Sequence, residues 1–404
     1  MDNRVVITGL NIITSLGLNL ESNWENLVAG KNGVGHITLF NPEGLQTTIA
    51  AQIPDTFEEY AGSHIKKRTA DQTTRVTKMC IVCVKDAISG AGIDFEQFNR
   101  DRCAVILGVV STGNNSSEKG TTSKNRILKS MNNGMSALIS IEYKLKGPNF
   151  TVTSACASSA YAIGLAYDMI KNGMADLVIA GGADSLVNRE EIEGFNELYA
   201  LSVNNDPSKA SCPFSRDRDG FVIGEGAGVM ILESEKSALK RNARIYAELA
   251  GYAVTSEAYN MMAPMKDGEG ISETITAALK HARVEPAEVD YINAHGTSTV
   301  LNDKFETMAI KRIFGERAAK IPVSSSKSMI GHTVGAAGVI EGVITVMSMV
   351  NDVITPTINL DIPDPELDLD YVPHKSRKCT INTAISNSFA FGGHNATLVF
   401  KKYV

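Results

Sequence analysis

Short apolar runs rich in β-branched residues and glycine recur along the chain, with helical patterns between them. The runs fall at 5–9, 103–110, 177–182, 228–232, 291–294 and 397–401, and helical periodicity is clear at 74–91 and 272–282. Runs such as LVIAGG show no polar–apolar alternation. A strand of that kind must be covered on both faces, as in a sheet sandwiched by helices. Strands alternating with helices therefore predict an α/β protein with buried sheets. At 404 residues the chain is too long for one ordinary core, so two large subdomains or two fused halves are expected. No short-period repeat or low-complexity linker marks the division. The charged segment ESEKSALKRNAR, followed by the β-like IYAELAGYAV, puts the seam near residue 243, giving halves 1–243 and 244–404. The Pro- and Asp-rich stretch 362–373 reads as an ordered surface loop.

Charge and cysteine usage narrow the function classes. Lys and Arg number 39 against 45 Asp and Glu, a formal charge of −6. That balance argues against non-specific nucleic-acid binding. An acidic partner would need a local basic patch. The six cysteines, Cys80, Cys83, Cys103, Cys156, Cys212 and Cys379, have no regular spacing, which argues against a disulfide framework. Cys80 and Cys83 form a C-x-x-C inside MCIVCV with no second pair; helix packing is expected there, and no metal site. The opening MDNRVVITGL reads as a strand entering a glycine turn rather than a leader. The longest apolar stretch, 334–350, is interrupted by Glu341 and is short for a membrane span. A cytoplasmic protein without a membrane segment is expected.

The segment TVTSACASSAYAIGLAYDMIKNG carries the most chemistry. Residues 151–153 are β-like, and Ile163, Ala166 and Ile170 can share a helix face that ends at Gly173. Cys156 thus sits at a strand-to-helix turn, near a helix N-terminus. A free thiol, with a pKa of about 8.5, is mostly protonated at neutral pH. The positive end of a helix favours the thiolate, and the small neighbours let a substrate approach. The same residues also fit a small buried core cysteine.

Two histidine motifs lie in the second half. His295 follows an apolar run in YINAHGTST, and Lys327 and His332 lie in SSSKSMIGHTVGAAGVIE. Histidines flanked by Gly and small polar residues at the ends of β-like runs suit a site on loops held by a rigid sheet. A third segment, ISNSFAFGGHNATLVF, has Phe389, Phe391, Gly392 and Gly393 before the last strand, where glycine permits positive φ; a plain tight hairpin explains it equally. DRDGFVIGEGAG lacks both phosphate-loop patterns.

Taken in order, TSACASS, DRDGFVIGEGAG, NAHGTST, SSKSMIGHTVGAAG and NSFAFGGHN resemble the β-ketoacyl-ACP synthase II group of thiolase-fold enzymes, over nearly the whole chain. The resemblance implies two similar α-β-α-β-α halves stacked in five layers, usually as dimers. It implies a catalytic triad at Cys156, His295 and His332, with Lys327 ordering the site and Glu341 as its acidic partner. Phe391 takes the gating position, its backbone N–H joining that of Cys156 in an oxyanion hole. Asp303, Thr297, Thr299, Phe389 and Gly392 fall on supporting positions. The implied reaction loads an acyl group onto Cys156 and condenses it with a decarboxylated malonyl group. Both arrive on the phosphopantetheine arm of acyl carrier protein, with no metal or organic cofactor. Lys66, Lys67 and Arg68 match the family's basic docking region for that acidic carrier, with Lys124, Arg126 and Lys129 as weaker candidates.

The chain also departs from the family pattern. Val300-Leu301-Asn302-Asp303 replaces the usual T-x-G-D, and the Asn-Asp pair resembles ketosynthase subunits of type II polyketide synthases. Ala390 and His394 stand where Gly and Thr are common, and the stretch from Gly108 to Cys156 is shorter than usual. These features favour the active subunit of a heterodimer with a chain-length factor, making a polyketide or polyene. The alternative is a homodimeric fatty-acid elongation enzyme. A thiolase would need a second reactive cysteine, and Cys379 lies outside the late Gly-rich loop. A non-catalytic chain-length factor would lack the nucleophile.

Overall fold

All six apolar runs form strands of one ten-stranded sheet. The computed structural model describes residues 3–113 and 126–404. In chain order the strands are β1 (Val5–Ile13), β2 (Cys103–Gly108), β3 (Asn149–Val152), β4 (Leu177–Ser185), β5 (Glu225–Ser234), β6 (Ala247–Ser256), β7 (Tyr291–Asn293), β8 (Val323–Ser324), β9 (Thr383–Ala390) and β10 (His394–Lys401). The run at 103–110 leaves the sheet after Gly108, two residues earlier than the sequence suggests. The charged segment after β5 is helical only over Glu235–Lys240. Glu233 instead belongs to β5, where it is buried against Arg241 and Thr8.

The sheet divides into two copies of one plan. Its order is β8-β7-β9-β10-β6-β1-β5-β4-β2-β3. In the first half, β1–β5 and β5–β4 are antiparallel while β4–β2 and β2–β3 are parallel. In the second half, β6–β10 and β10–β9 are antiparallel while β9–β7 and β7–β8 are parallel. Only Val6 and Ile7 of β1 pair across to β6.

Six helices complete five layers. Helices α1 (Arg75–Gly90) and α2 (Gly134–Tyr143) cover the outer face of the first half. Cys80 and Cys83 are buried in α1 as packing residues. Helices α4 (Glu269–Ala282) and α5 (Val300–Phe314) cover the outer face of the second half. Between them, α3 (Ser158–Lys171) and α6 (Ala337–Asn351) form a shared central layer. Val334–Asn351 is the one helical stretch among the described residues long and apolar enough to cross a membrane, and 83% of it is buried within the fold. Its Val339, Ile340, Val343 and Ile344 are fully covered, each worth roughly 1.5–3 kcal/mol of burial.

Close backbone contact sets the site. A Cβ on Gly108 would lie 2.2 Å from the backbone of Ser158 and Ser159, so only glycine lets α3 start directly over the end of β2. Likewise a Cβ on Gly338 would lie 2.8 Å from the Ala160 backbone nitrogen, where the two central helices meet. The Ser159 hydroxyl accepts the Val339 N–H at 3.0 Å and ties the pair. The loops that leave the parallel strands are thereby brought to one point, as is usual at the carboxyl ends of parallel strands.

Candidate active site

Cys156 and His332 occupy matching places in the two halves. Cys156 lies between β3 and α3, and His332 between β8 and α6. His295 follows β7 by two residues. The three line one cavity of about 720 Å³, together with Thr297, Thr299, Phe389 and Phe391. The His295 and His332 rings meet edge to face with centroids 5.4 Å apart. Phe389 packs against His295 and Phe221 against His332, at 5.9 and 5.2 Å.

Both imidazoles are held in one tautomer. Lys327 Nζ donates to the His295 carbonyl at 2.7 Å and lies 3.3 Å from His295 Nδ1. The Val334 N–H points at His332 Nδ1, 3.3 Å away. A donor at each Nδ1 leaves the ring proton on Nε2. Burial, with added repulsion from the Lys327 ammonium, holds both rings well below the usual histidine range. The site therefore offers two neutral imidazoles, each with an N–H to give.

Lys327 is itself buried and paired with Glu341 on α6. Burial lifts the Glu341 carboxyl to about 7 although Lys327 pulls it down. Glu306 on α5, absent from the sequence reading, fixes the His295 loop. Its two oxygens accept the N–H groups of His295 and Gly296, each at 2.9 Å. Burial raises it to about 7 as well, against those backbone donors. A signal was present: Asp303 and Glu306 are three apart on one helix face that also carries Ile310. Asp184 at the end of β4 is another buried acid missed, and it had a weaker mark as an acid near the end of an unbroken apolar strand.

Two effects oppose each other at Cys156, which is half-buried on the cavity wall. Cys156 does precede α3, whose first turn has no side-chain cap. Yet burial pushes the thiol up to about 12, with the Asp184 charge adding and Lys327 opposing. Loss of water around sulfur thus opposes the helix terminus, which acts only at partial charge. Ala155, just before it, is held at φ 47, and Val334, two residues after His332, at φ 46. Left-handed backbone at non-glycine residues costs on the order of 1–3 kcal/mol each, so both turns are held by their surroundings.

The remaining predicted residues spread outward. Phe391, Gly392 and Gly393 form the tight turn between β9 and β10, with Gly392 at φ 78 and its N–H bonded to the Met261 carbonyl at 2.8 Å. Thr297 and Thr299 share a hydroxyl contact of 2.8 Å on the cavity wall. Asp303 lies behind the cavity, where it accepts the Phe214 N–H at 2.8 Å. Lys66, Lys67 and Arg68 lie at the exposed turn after the helix Phe57–His64, and none forms an ion pair with a described residue. Lys129 is half-buried, while Lys124 and the Arg126 side chain fall outside the described residues. DRDG buttresses the site: buried Arg218 pairs with Asp364 at 2.7 Å, and the Gly220 N–H donates to the Ser298 carbonyl at 3.1 Å. Among the described residues no group of three or more His, Cys, Asp or Glu is placed to hold a metal.

The cavity wall is mostly apolar, with Val110, Leu186, Phe195, Leu198 and Phe221 contributing. Glu191 breaks it. Its carboxyl has no hydrogen-bond partner among the described residues, and burial and Glu190 raise its pKa.

Family models for the N-terminal and C-terminal domains of beta-ketoacyl synthase match residues 2–238 and 246–361. The chain belongs to the β-ketoacyl synthase family. Over 99% of its length it is 43% identical to 3-oxoacyl-[acyl-carrier-protein] synthase 2 of Synechocystis sp., covering 98% of that protein. It is 40% identical to the enzyme of the same name from Staphylococcus aureus, with the same coverage of each chain. Two solved structures align over the full length of both chains. One is the ishigamide ketosynthase/chain length factor, with TM-score 0.91 and 33% identity. The other is the AntDE:AntF assembly, a type II PKS acyl-carrier protein in complex with its ketosynthase bound to the hexaketide, with TM-score 0.90 and 31% identity. The thiolase-like architecture expected from sequence is the one observed.

Proposed function

We propose that the chain is a β-ketoacyl-[acyl-carrier-protein] synthase that uses Cys156, His295 and His332 for a decarboxylative Claisen condensation. The observation that carries this reading is the pair of neutral imidazoles, each fixed as an Nε2–H donor, facing the cavity that holds Cys156. In the first stage the Cys156 sulfur bonds to the acyl carbon of a carrier thioester. The carrier's thiolate leaves and takes up the thiol proton. In the second stage a malonyl thioester loses CO₂, and its electron pair becomes an enolate. The Nε2–H groups of His295 and His332 stabilise the enolate oxygen in a dry site. The enolate carbon bonds to the acyl carbon, Cys156 departs as thiolate, and a solvent proton restores the thiol. Splitting the reaction through a covalent acyl-enzyme gives ping-pong kinetics. This chemistry needs no metal or organic cofactor, because the thioester already activates the carbonyl.

The half up to residue 243 supplies the nucleophile, and 244–404 supplies both histidines. Phe391 gates the mouth, and its N–H joins that of Cys156 in the oxyanion hole. Acyl carrier protein docks on Lys66, Lys67 and Arg68, whose exposed charges, without an ion pair among the described residues, suit an acidic partner. The six free thiols support a reducing compartment, the cytoplasm.

Two pathways fit. The Asn302-Asp303 pair and the likeness to ketosynthase/chain length factor structures support a type II polyketide or polyene synthase working as a heterodimer. The 43% identity to a synthase 2 supports fatty-acid elongation by a homodimer. Purified protein incubated with acyl-carrier and malonyl-carrier decides the chemistry: CO₂ release with a 3-ketoacyl product, abolished in Cys156→Ala, is expected. A protein that neither acylates at Cys156 nor releases CO₂ is not a condensing enzyme. Elongation of saturated chains without a partner subunit would select the fatty-acid reading.

A further inference from the structure

Asp184 lies outside the five sequence motifs, is 1% exposed, and stands at the carboxyl end of β4. Its two oxygens reach into both halves of the protein. Oδ1 accepts the N–H of Ser111 at 3.2 Å, in the cavity-lining loop that follows β2. Oδ2 accepts the N–H of Gly335 at 3.0 Å, in the turn Val334–Ala336 that follows His332. The fit leaves no slack, since a Cβ on Gly335 would lie 2.6 Å from Oδ2.

Val334 lies between His332 and Gly335. It is β-branched, yet its φ is 46, a backbone state such residues avoid. In that state its N–H faces His332 Nδ1 at 3.3 Å. The residue next to Val334 is the one tied down, by the Gly335 N–H bond to buried Asp184. We propose that Asp184 is a positioning residue for His332: by clamping Gly335 it keeps Val334 in the left-handed state whose N–H fixes the His332 tautomer. This rests on the reading of His332 as a donor to the enolate oxygen. Burial raises Asp184 itself to about 7, while the N–H groups of Gly335, Ser111, Val110 and Ser185 oppose that rise.

The test is Asp184→Asn in the full chain. An amide accepts at one oxygen only and turns its NH₂ toward the other backbone N–H. Three measurements are made on wild type and variant. They are CO₂ release from malonyl-carrier, acylation of Cys156 by intact mass, and the ¹⁵N resonances of His332, assigned by their loss in His332→Asn. Decarboxylation should fall about tenfold to a hundredfold, less than the 10²–10³ lost with an oxyanion donor. Acylation should stay within about threefold of wild type, since it does not use the His332 donor and removing a negative charge near Cys156 does not raise its thiol pKa further. The His332 proton should become shared between Nδ1 and Nε2. Gly335→Ala, which pushes the carboxyl away while keeping its charge, should reproduce the split. Unchanged decarboxylation, an unchanged tautomer, or an equal fall in both activities would overturn the proposal. Wild-type protein that released no CO₂ would instead refute the enzymatic reading, and the tautomer would then decide for or against Asp184 alone.

Discussion

Replacing Lys327 by methionine removes an ammonium and little else, because the two side chains have similar length. Lys327 is 1% exposed and touches Glu341, the His295 carbonyl and His295 Nδ1. Two separate losses follow. Glu341 is left buried without its cation, and breaking such a pair from one side costs about 3–5 kcal/mol. The carboxyl, already at about 7 with Lys327 present, rises further and takes up a proton. The penalty therefore grows with pH, by up to about 1.4 kcal/mol per unit. His295 meanwhile loses the donor that fixes its tautomer, a bond to a charged group worth roughly 1.5–3 kcal/mol, or about ten- to a hundredfold in decarboxylation. Urea midpoints at pH 6 and pH 8, with CO₂ release from malonyl-carrier, separate the two. The variant should be less stable at pH 8 than at pH 6 relative to wild type. Lys327→Met combined with Glu341→Gln should recover most of the stability and none of the decarboxylation. A double variant as unstable as the single one, or a single variant that decarboxylates at the wild-type rate, would refute the reasoning.

His295 and His332 have folded pKa values well below 6.5, so the unfolded chain binds more protons as pH falls through 6.5. Their share of stability is complete above 6.5 and is lost below it, toward the folded values; both rings should stay neutral by ¹⁵N resonance at pH 6, and a midpoint near 6.5 would contradict the burial argument. Neutralising Lys67 and Arg68 together should raise KM for acyl carrier protein severalfold and flatten its salt dependence with kcat unchanged; an unchanged KM removes the docking assignment. Glu191→Leu should shift Cys156 acylation, read by intact mass over a panel of acyl carriers, toward plain hydrocarbon chains by about threefold or more, since an unpaired carboxyl on an apolar wall disfavours them; an unaltered panel would place Glu191 away from the acyl chain.

Much of the site could be read from the chain because its chemistry sits in short motifs. Cys156, His295, His332, Lys327 and Glu341 were all named from sequence, and all converge. Glu306 and Asp184 were missed because each acts on backbone groups: Glu306 on residues 295 and 296 across a turn, Asp184 on residues 111 and 335 far along the chain. Acceptors for backbone N–H groups leave no constraint on the residue type they hold, so no pairing is visible in the sequence. The setting of the Cys156 thiol is only half legible for a related reason: a helix start can be read locally, but the desolvation that opposes it depends on walls from both halves. Strand ends moved by a few residues where a loop was needed to line the cavity, as after Gly108.

The shared strand order of the two halves gives every cavity loop a counterpart. His295 stands two residues beyond the end of β7, and the matching place beyond β2 is Val110. One copy of that position holds a proton donor, and the other is a bare apolar wall of the same cavity. A doubled plan in which the copies have diverged gives the sulfur to one half and the imidazole at this position to the other. The cavity between them is walled by loops of both copies, so neither half encloses it alone.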